Sequence, residues 1–149
     1  MKIIYKVGNL RDAEELIILH GCNAQGVMRS GVAKVVREKW PEAYNEYRAA
    51  FENYGLSMGD TVIAFSRGKK IINAITQEYF GRDGKQYVDY EAIRTAIRSV
   101  NKLADVVAVA VVAMPKIGAG LGGGDWNIIS KIIEEESTNF QPVVYELSD

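Results

Sequence analysis

The run VVAVAVVAM, Val106 to Met114, is the longest uninterrupted apolar stretch of the chain. It falls far short of the roughly 20 residues that a membrane-crossing helix needs. Rich in valine and followed at once by a glycine-rich segment, it reads as a strand buried on both faces. Such a strand has to be covered by other elements on either side. With 149 residues, of which 48% are hydrophobic and 25% charged, the chain has enough apolar material for one domain over residues 1–149. The net charge of −1 gives no general attraction to polyanions, and no basic patch stands out, so neither nucleic acid nor a membrane surface is an expected partner. Cys22 is the single cysteine, which excludes an internal disulfide framework. The opening MKIIYKVGNLRD turns polar too early for a signal peptide, so a cytoplasmic protein is expected.

Strand and helix signals alternate along the chain. Lys2 to Val7 reads as a strand stopping at Gly8-Asn9, and Leu16 to Leu19 as a second, buried strand ending at HGCN. Val32, Val35, Val36 and Trp40 recur at helical spacing until Pro41, which breaks that helix or starts the next. Tyr44, Tyr47, Phe51 and Tyr54 continue a helical stripe to Gly55. Thr61 to Phe65 and Lys70 to Ile75 flank the turn SRGK as neighbouring strands. The polar segment TQEYFGRDGKQYVDY is too long for a turn and reads as a functional loop. Asp89 is placed to cap a helix carrying Tyr90, Ile93, Ile97, Val100 and Leu103. After the glycine-rich segment come a last helix with Ile128, Ile129, Ile132 and Ile133, and a closing strand around Val143 to Leu147. This alternation predicts a three-layer α/β/α sandwich with a mixed central sheet.

Two glycine-containing loops follow apolar strands: HGCNAQGVMRSGVAK, His20 to Lys34, and MPKIGAGLGGGDW, Met114 to Trp126. In open α/β sheets, ligands bind outside the carboxyl ends of the strands. Glycine lets backbone N–H groups approach an anion, and the helix behind each loop adds partial positive charge. Two such loops could grip a diphosphate, or each could be a tight strand-to-helix turn. Gly26 and Gly31 have P-loop spacing, but Val32 and Ala33 stand where that motif needs Lys and Ser/Thr. Gly118, Gly120 and Gly123 fit G-x-G-x-x-G, with the acidic Glu146 downstream; a dinucleotide fold, however, calls for further strands after this unit.

GNL after the first strand, HGCNAQGVMRSGVAK and PKIGAGLGGGDW together resemble the macro domain family. The likeness is to its branch of ADP-ribose 1''-phosphate phosphatases and terminal ADP-ribose glycohydrolases, and it spans the chain in element order. It implies that Asn9 and Leu10 lie at the adenine end of an ADP-ribose ligand, with Asn23 and Gln25 near the distal ribose. It puts Gly26, Val27, Met28, Arg29, Ser30 and Gly31 on one side of the diphosphate, and Ile117, Gly118, Ala119, Gly120, Leu121 and Gly122 on the other. Many macro domains carry Asp where this chain has Asn9, which accepts a hydrogen bond through an uncharged carbonyl oxygen.

Three residues are candidates for chemistry. His20, the single histidine, could take a proton from an attacking water, as the resemblance implies, or cap a strand end structurally. Asp125 could orient water or stabilise positive character at C1'', and equally could be a helix N-cap. Lys85 could attack C1'' as an amine, as in the glycohydrolase branch, or be a solvated loop lysine. Cys22 reads as packing, since no second histidine activates it, and Tyr44, Tyr47 and Tyr54 read as packing too. Trp126 could cover a ligand or anchor the last helix. The resulting expectation is a monomeric, metal-independent hydrolase of ADP-ribose 1''-phosphate that needs no cofactor. Its alternatives are hydrolysis of ADP-ribosylated glutamate or aspartate on proteins, and ADP-ribose reading without turnover.

Overall fold

The structure, a computed structural model, describes residues 1–104 and 110–147. Six strands, β1 (Ile4–Val7), β2 (Ile17–Asn23), β3 (Thr61–Ser66), β4 (Lys69–Gln77), β5 (Ala110–Met114) and β6 (Phe140–Glu146), form one sheet in the order β1-β6-β5-β2-β4-β3. All neighbours pair parallel except β3 and β4. That antiparallel pair is closed by Arg67 and Gly68, whose φ values of 51° and 77° suit a tight hairpin. The expected strand at Val106 to Met114 is seen as β5 from Ala110; residues 106–109 lie outside the described residues.

Four helices cover the sheet: α1 (Gly31–Lys39), α2 (Pro41–Tyr54), α3 (Tyr90–Ala104) and α4 (Trp126–Glu136). Alternation along the strands divides the core in two. Ile18, Ile71 and Ala113 face Val36 and Trp40 of α1 and its end, and Ala43 of α2. Leu19, Ile72, Val112 and Val144 face Ile93, Ile97 and Val100 of α3, and Ile129, Ile132 and Ile133 of α4. The result is the three-layer mixed-sheet sandwich expected from the residue pattern. Pro41 opens α2 at a first-turn position, where a missing N–H costs nothing. Gly55 ends it with φ 71°. Asp89 caps α3, its carboxylate accepting from the Ala92 amide at 2.9 Å.

One boundary matters for function. The second strand does not stop at Leu19 but runs through HGCN to Asn23, because His20 and Cys22 are buried on the face that Ile18 also presents. His20 is 0% exposed, and its Nε2 meets Asn73 Oδ1 on the neighbouring strand at 2.5 Å. Asn73 donates through Nδ2 to the Ala43 and Val62 carbonyls, so its Oδ1 is the acceptor and His20 carries its proton on Nε2.

Burial pushes the His20 pKa down to about 4, against the raising effect of the Asn73 hydrogen bond. The unfolded chain, with an ordinary histidine pKa near 6.5, takes up the proton first as pH falls. Stability is therefore full above about 6.5 and falls by about 3 kcal/mol as the pH approaches 4. Glu15, Glu42 and Glu136 have values lowered by hydrogen bonds, for Glu15 against the raising effect of burial, so their contributions are lost from the ordinary carboxylate value of about 4.5 downward and are intact at both pH 7 and pH 5. Urea unfolding at pH 7 and pH 5 checks the slope. His20→Gln, which keeps a donor but does not titrate, is expected to flatten it; an equal slope in the variant would refute the assignment.

Candidate functional site

β2, β4, β5 and β6 all end at one edge of the sheet, and there a cleft of about 1060 Å³ opens. It is the place where open α/β sheets bind ligands. Of the residues expected at the site, Asn23, Val27, Arg29, Ser30, Gly31 and every residue from Ile117 to Gly122 line it. Thr76 to Arg82, apart from Glu78 and Tyr79, and Tyr145 to Leu147 complete the walls. Asn9, Leu10, Gln25, Gly26 and Met28 do not line the cleft. Asn9 instead caps a short 3-10 turn, accepting from the Arg11 amide at 3.1 Å, and Leu10 and Met28 are core residues. Gln25 Nε2 donates to the Glu78 carbonyl at 3.1 Å.

The first loop is held from beneath. Asn23 Nδ2 donates to the Val27 carbonyl at 2.9 Å, and Asn23 Oδ1 accepts from the Gln25 amide at 2.9 Å. Tyr47, buried in α2, donates its hydroxyl to the Asn23 carbonyl at 2.6 Å and accepts from the Val27 amide at 3.1 Å. Burial keeps that phenol protonated by pushing its pKa up. Ser30 stands at the N-cap of α1 but makes no capping bond; its hydroxyl accepts from Arg82 Nη2 at 2.7 Å.

The glycines of the second loop divide by task. At Gly118, with φ 75°, a Cβ would sit 2.7 Å from Val88, and at Gly122 it would sit 2.8 Å from the Gly118 carbonyl. Both are needed for the loop to close on itself. At Gly120 a Cβ would meet nothing within 4 Å, because that position looks into the cleft. Among the described residues, the amides of Gly120, Leu121 and Gly122 donate to no protein group, nor do those of Arg29, Ser30, Gly31 and Val32 on the opposite wall. Four charged side chains line the cleft, and Lys116 and Glu146 pair with each other at 2.7 Å. Arg29 and Arg82 have no carboxylate partner among the described residues. A cleft of this kind favours an anion in contact with backbone donors.

The three residues expected to do chemistry are not brought together in the cleft. His20 lies mid-strand beneath α2, because β2 runs three residues past it. Asp125 caps α4, accepting from the Asn127 amide at 2.9 Å, and lies outside the cleft lining. Lys85 projects from the loop after β4, its side chain 78% exposed and 3.8 Å from Asp83. Cys22 lines the cleft floor, and burial raises its pKa, so it stays a thiol. Trp126 donates to the Tyr5 hydroxyl at 3.1 Å and anchors α4 to β1. Among the described residues no three His, Cys, Asp or Glu side chains come together as metal ligands. Sequence reasoning missed Tyr47 and Arg82. Tyr47 sits within a helical stripe that hides its hydroxyl, whereas Arg82 lies in the polar segment already read as a functional loop. Tyr47→Phe keeps the ring but removes the clamp; a loss of ~1–3 kcal/mol in unfolding free energy and faster hydrogen exchange at the Val27 amide are expected. Unchanged exchange there would show that the clamp does not hold the loop.

Comparison with known proteins agrees with this architecture. The sequence model of the Macro domain matches residues 19–133. The ADP-ribose 1''-phosphate phosphatase of Candida albicans is 27% identical over 128 residues, 82% of each chain. The DNA ADP-ribosyl glycohydrolase of Mycobacterium tuberculosis is 28% identical over 134 residues, which cover 87% of this chain and 37% of that protein. The macrodomain of Mycobacterium tuberculosis DarG superposes with a TM-score of 0.84 over 98% of both chains, at 23% identity, a likeness of fold. By fold, by cleft and by the match across most of its length, the chain belongs to the macro domain family.

Proposed function

We propose that this macro domain binds ADP-ribose in the cleft and hydrolyses ADP-ribose 1''-phosphate to ADP-ribose and phosphate. The observation that carries the binding is the facing pair of loops, whose unpartnered amides flank a cleft with two unpaired arginines and no free carboxylate. The diphosphate fits between Arg29–Val32 and Gly120–Gly122. The phosphatase reading draws on the Candida albicans relative, which this chain matches over most of both lengths. In the reaction, water adds to phosphorus as the P–O1'' bond breaks, and ADP-ribose leaves with that electron pair and a proton from the water. Phosphoryl transfer asks the protein mainly for positioning and charge stabilisation, so it does not depend on a buried histidine. His20 and Asp125 act as framework in this proposal.

A second reading is release of ADP-ribose from a macromolecule. Lys85 favours it, because it is a solvent-exposed amine on the loop that forms one cleft wall. The acceptor could be a protein carboxylate, or DNA, for which the Mycobacterium tuberculosis relative is named. An assay panel of ADP-ribose 1''-phosphate, ADP-ribosylated glutamate and ADP-ribosylated DNA separates these. Phosphate release that persists in chelator and in Lys85→Ala supports the phosphatase. Turnover of a macromolecular substrate alone, lost in Lys85→Ala, supports the second reading, and turnover of none leaves a reader domain.

Gly120 tests the binding mode. Its backbone conformation and open surroundings tolerate a side chain, so Gly120→Glu is expected to fold normally while placing bulk and negative charge in the cleft. Calorimetry should show ADP-ribose affinity reduced at least about 100-fold, the effect of a clash plus like-charge repulsion. Adenosine, without the diphosphate, should lose much less. Unchanged ADP-ribose affinity in a folded Gly120→Glu protein would refute the proposed seat of the diphosphate.

A further inference from the structure

We propose that Arg48, on α2 and outside the cleft lining, is a positioning residue for the ligand. It heads a one-way chain of hydrogen bonds that ties the first loop to the loop after β4 and holds these two walls of the cleft in one arrangement; this rests on the reading of the cleft as an ADP-ribose site. The chain can be followed bond by bond. Arg48 Nη1 donates to the Gly26 carbonyl at 3.2 Å. The same peptide unit donates onward, through the Val27 amide, to the Tyr47 hydroxyl at 3.1 Å. Tyr47 donates to the Asn23 carbonyl at 2.6 Å, and that peptide unit in turn donates, through the Ala24 amide, to the Glu78 carbonyl at 3.2 Å. Each peptide accepts at its oxygen and donates at its nitrogen in the same direction, so every bond polarises the next. Arg48 supplies the charged donor at the head of the chain, which makes the first bond charge-assisted.

The surroundings of Arg48 fit this task. Its Nε donates to Glu52 Oε1 at 2.8 Å, one turn along α2, and its guanidinium lies 5.0 Å from the centre of the Phe51 ring. Those two contacts aim Nη1 at the loop. The ion pair with Glu52 is solvent-exposed and contributes little by itself, so the bond that distinguishes Arg48 is the one to Gly26. Position 26 has to be glycine for that approach: its φ is 76°, and a Cβ would sit 2.7 Å from the Phe51 ring and 2.8 Å from Arg48 Nη1. Both ends of the chain carry cleft walls. Val27 lines the cleft and leads into the free amides of Arg29 to Val32, while Glu78 leads into Phe80, Gly81 and Arg82. The bond from Arg48 therefore bears on donors that face the ligand, although Arg48 does not line the cleft.

The test reads backbone amide resonances and ligand affinity on the full chain. In Arg48→Met, which keeps an apolar stem against Phe51, calorimetry should show ADP-ribose bound at least about fivefold more weakly, the effect of losing one charge-assisted hydrogen bond. The amide proton resonances of Val27 and Ala24 should both move upfield as their hydrogen bonds weaken, Ala24 included although it does not touch Arg48. In a Tyr47→Phe background, where the chain is already cut, Arg48→Met should no longer move the Ala24 resonance. Lys131→Ala, which removes an exposed charge on α4, should change neither affinity nor these resonances. An Ala24 resonance that stays in place in Arg48→Met, or that moves equally in the Tyr47→Phe background, would refute the chain. ADP-ribose affinity within about twofold of wild type in Arg48→Met, or an equal loss in Lys131→Ala, would refute the positioning role. Failure of wild-type protein to bind ADP-ribose at all would instead overturn the underlying reading of the cleft, while the Ala24 resonance still decides the chain.

Discussion

Parallel pairing of four adjacent strands is the constraint on which the rest of this molecule depends. Because β6, β5, β2 and β4 run the same way, their carboxyl ends share one edge, and the segments that leave them are forced into proximity. Parallel strands need crossovers, and helices supply them, so three of those segments, after β2, β4 and β5, end at helix N-termini, where backbone donors are left without intrahelical partners. The cleft and the free backbone amides along it are in this sense one consequence of strand direction.

The loops at that edge combine rigid framework with a few free positions. Tyr47 and Asn23 fasten the first loop to the layer beneath it, and the packing of Gly118 against Val88 fastens the second. The amides left over after this bracing face one another across the cleft. A ligand site built from backbone dipoles costs little reorganisation on binding, because the framework already holds the donors in place.

What could be read from the sequence follows the range of the interactions involved. The apolar run ending at Met114, the Arg67-Gly68 hairpin and the caps at Asp89 and Asp125 depend on near neighbours, and the residue pattern located all of them. The glycine-rich segment was legible as a loop against a ligand, although not which of its glycines closes the turn and which faces the cleft. His20 went astray because a polar residue after an apolar run resembles a strand end; its partner Asn73 is 53 residues away. The pairs Tyr47 with Asn23 and Arg82 with Ser30 are equally invisible to local patterns, being 24 and 52 residues apart. Asn9 was placed at the site by likeness, yet its side chain serves the turn that follows it.

The pairing of β1 with β6 has a consequence for biosynthesis. Within this sheet the first strand to be made, β1, finds its partner in the sixth, from Ile4 against Val143 to Val7 against Glu146. At ribosomal speeds the intervening chain takes on the order of ten seconds to emerge, and throughout that time β1 has no place in the sheet. β5 waits as well, since one of its two neighbours is also β6. The hairpin of β3 and β4 with β2 can assemble early, while the nascent chain carries a half-built sheet whose most apolar strand still has a bare edge. Chaperone demand should therefore concentrate on the interval before α4 and β6 emerge and close the sheet.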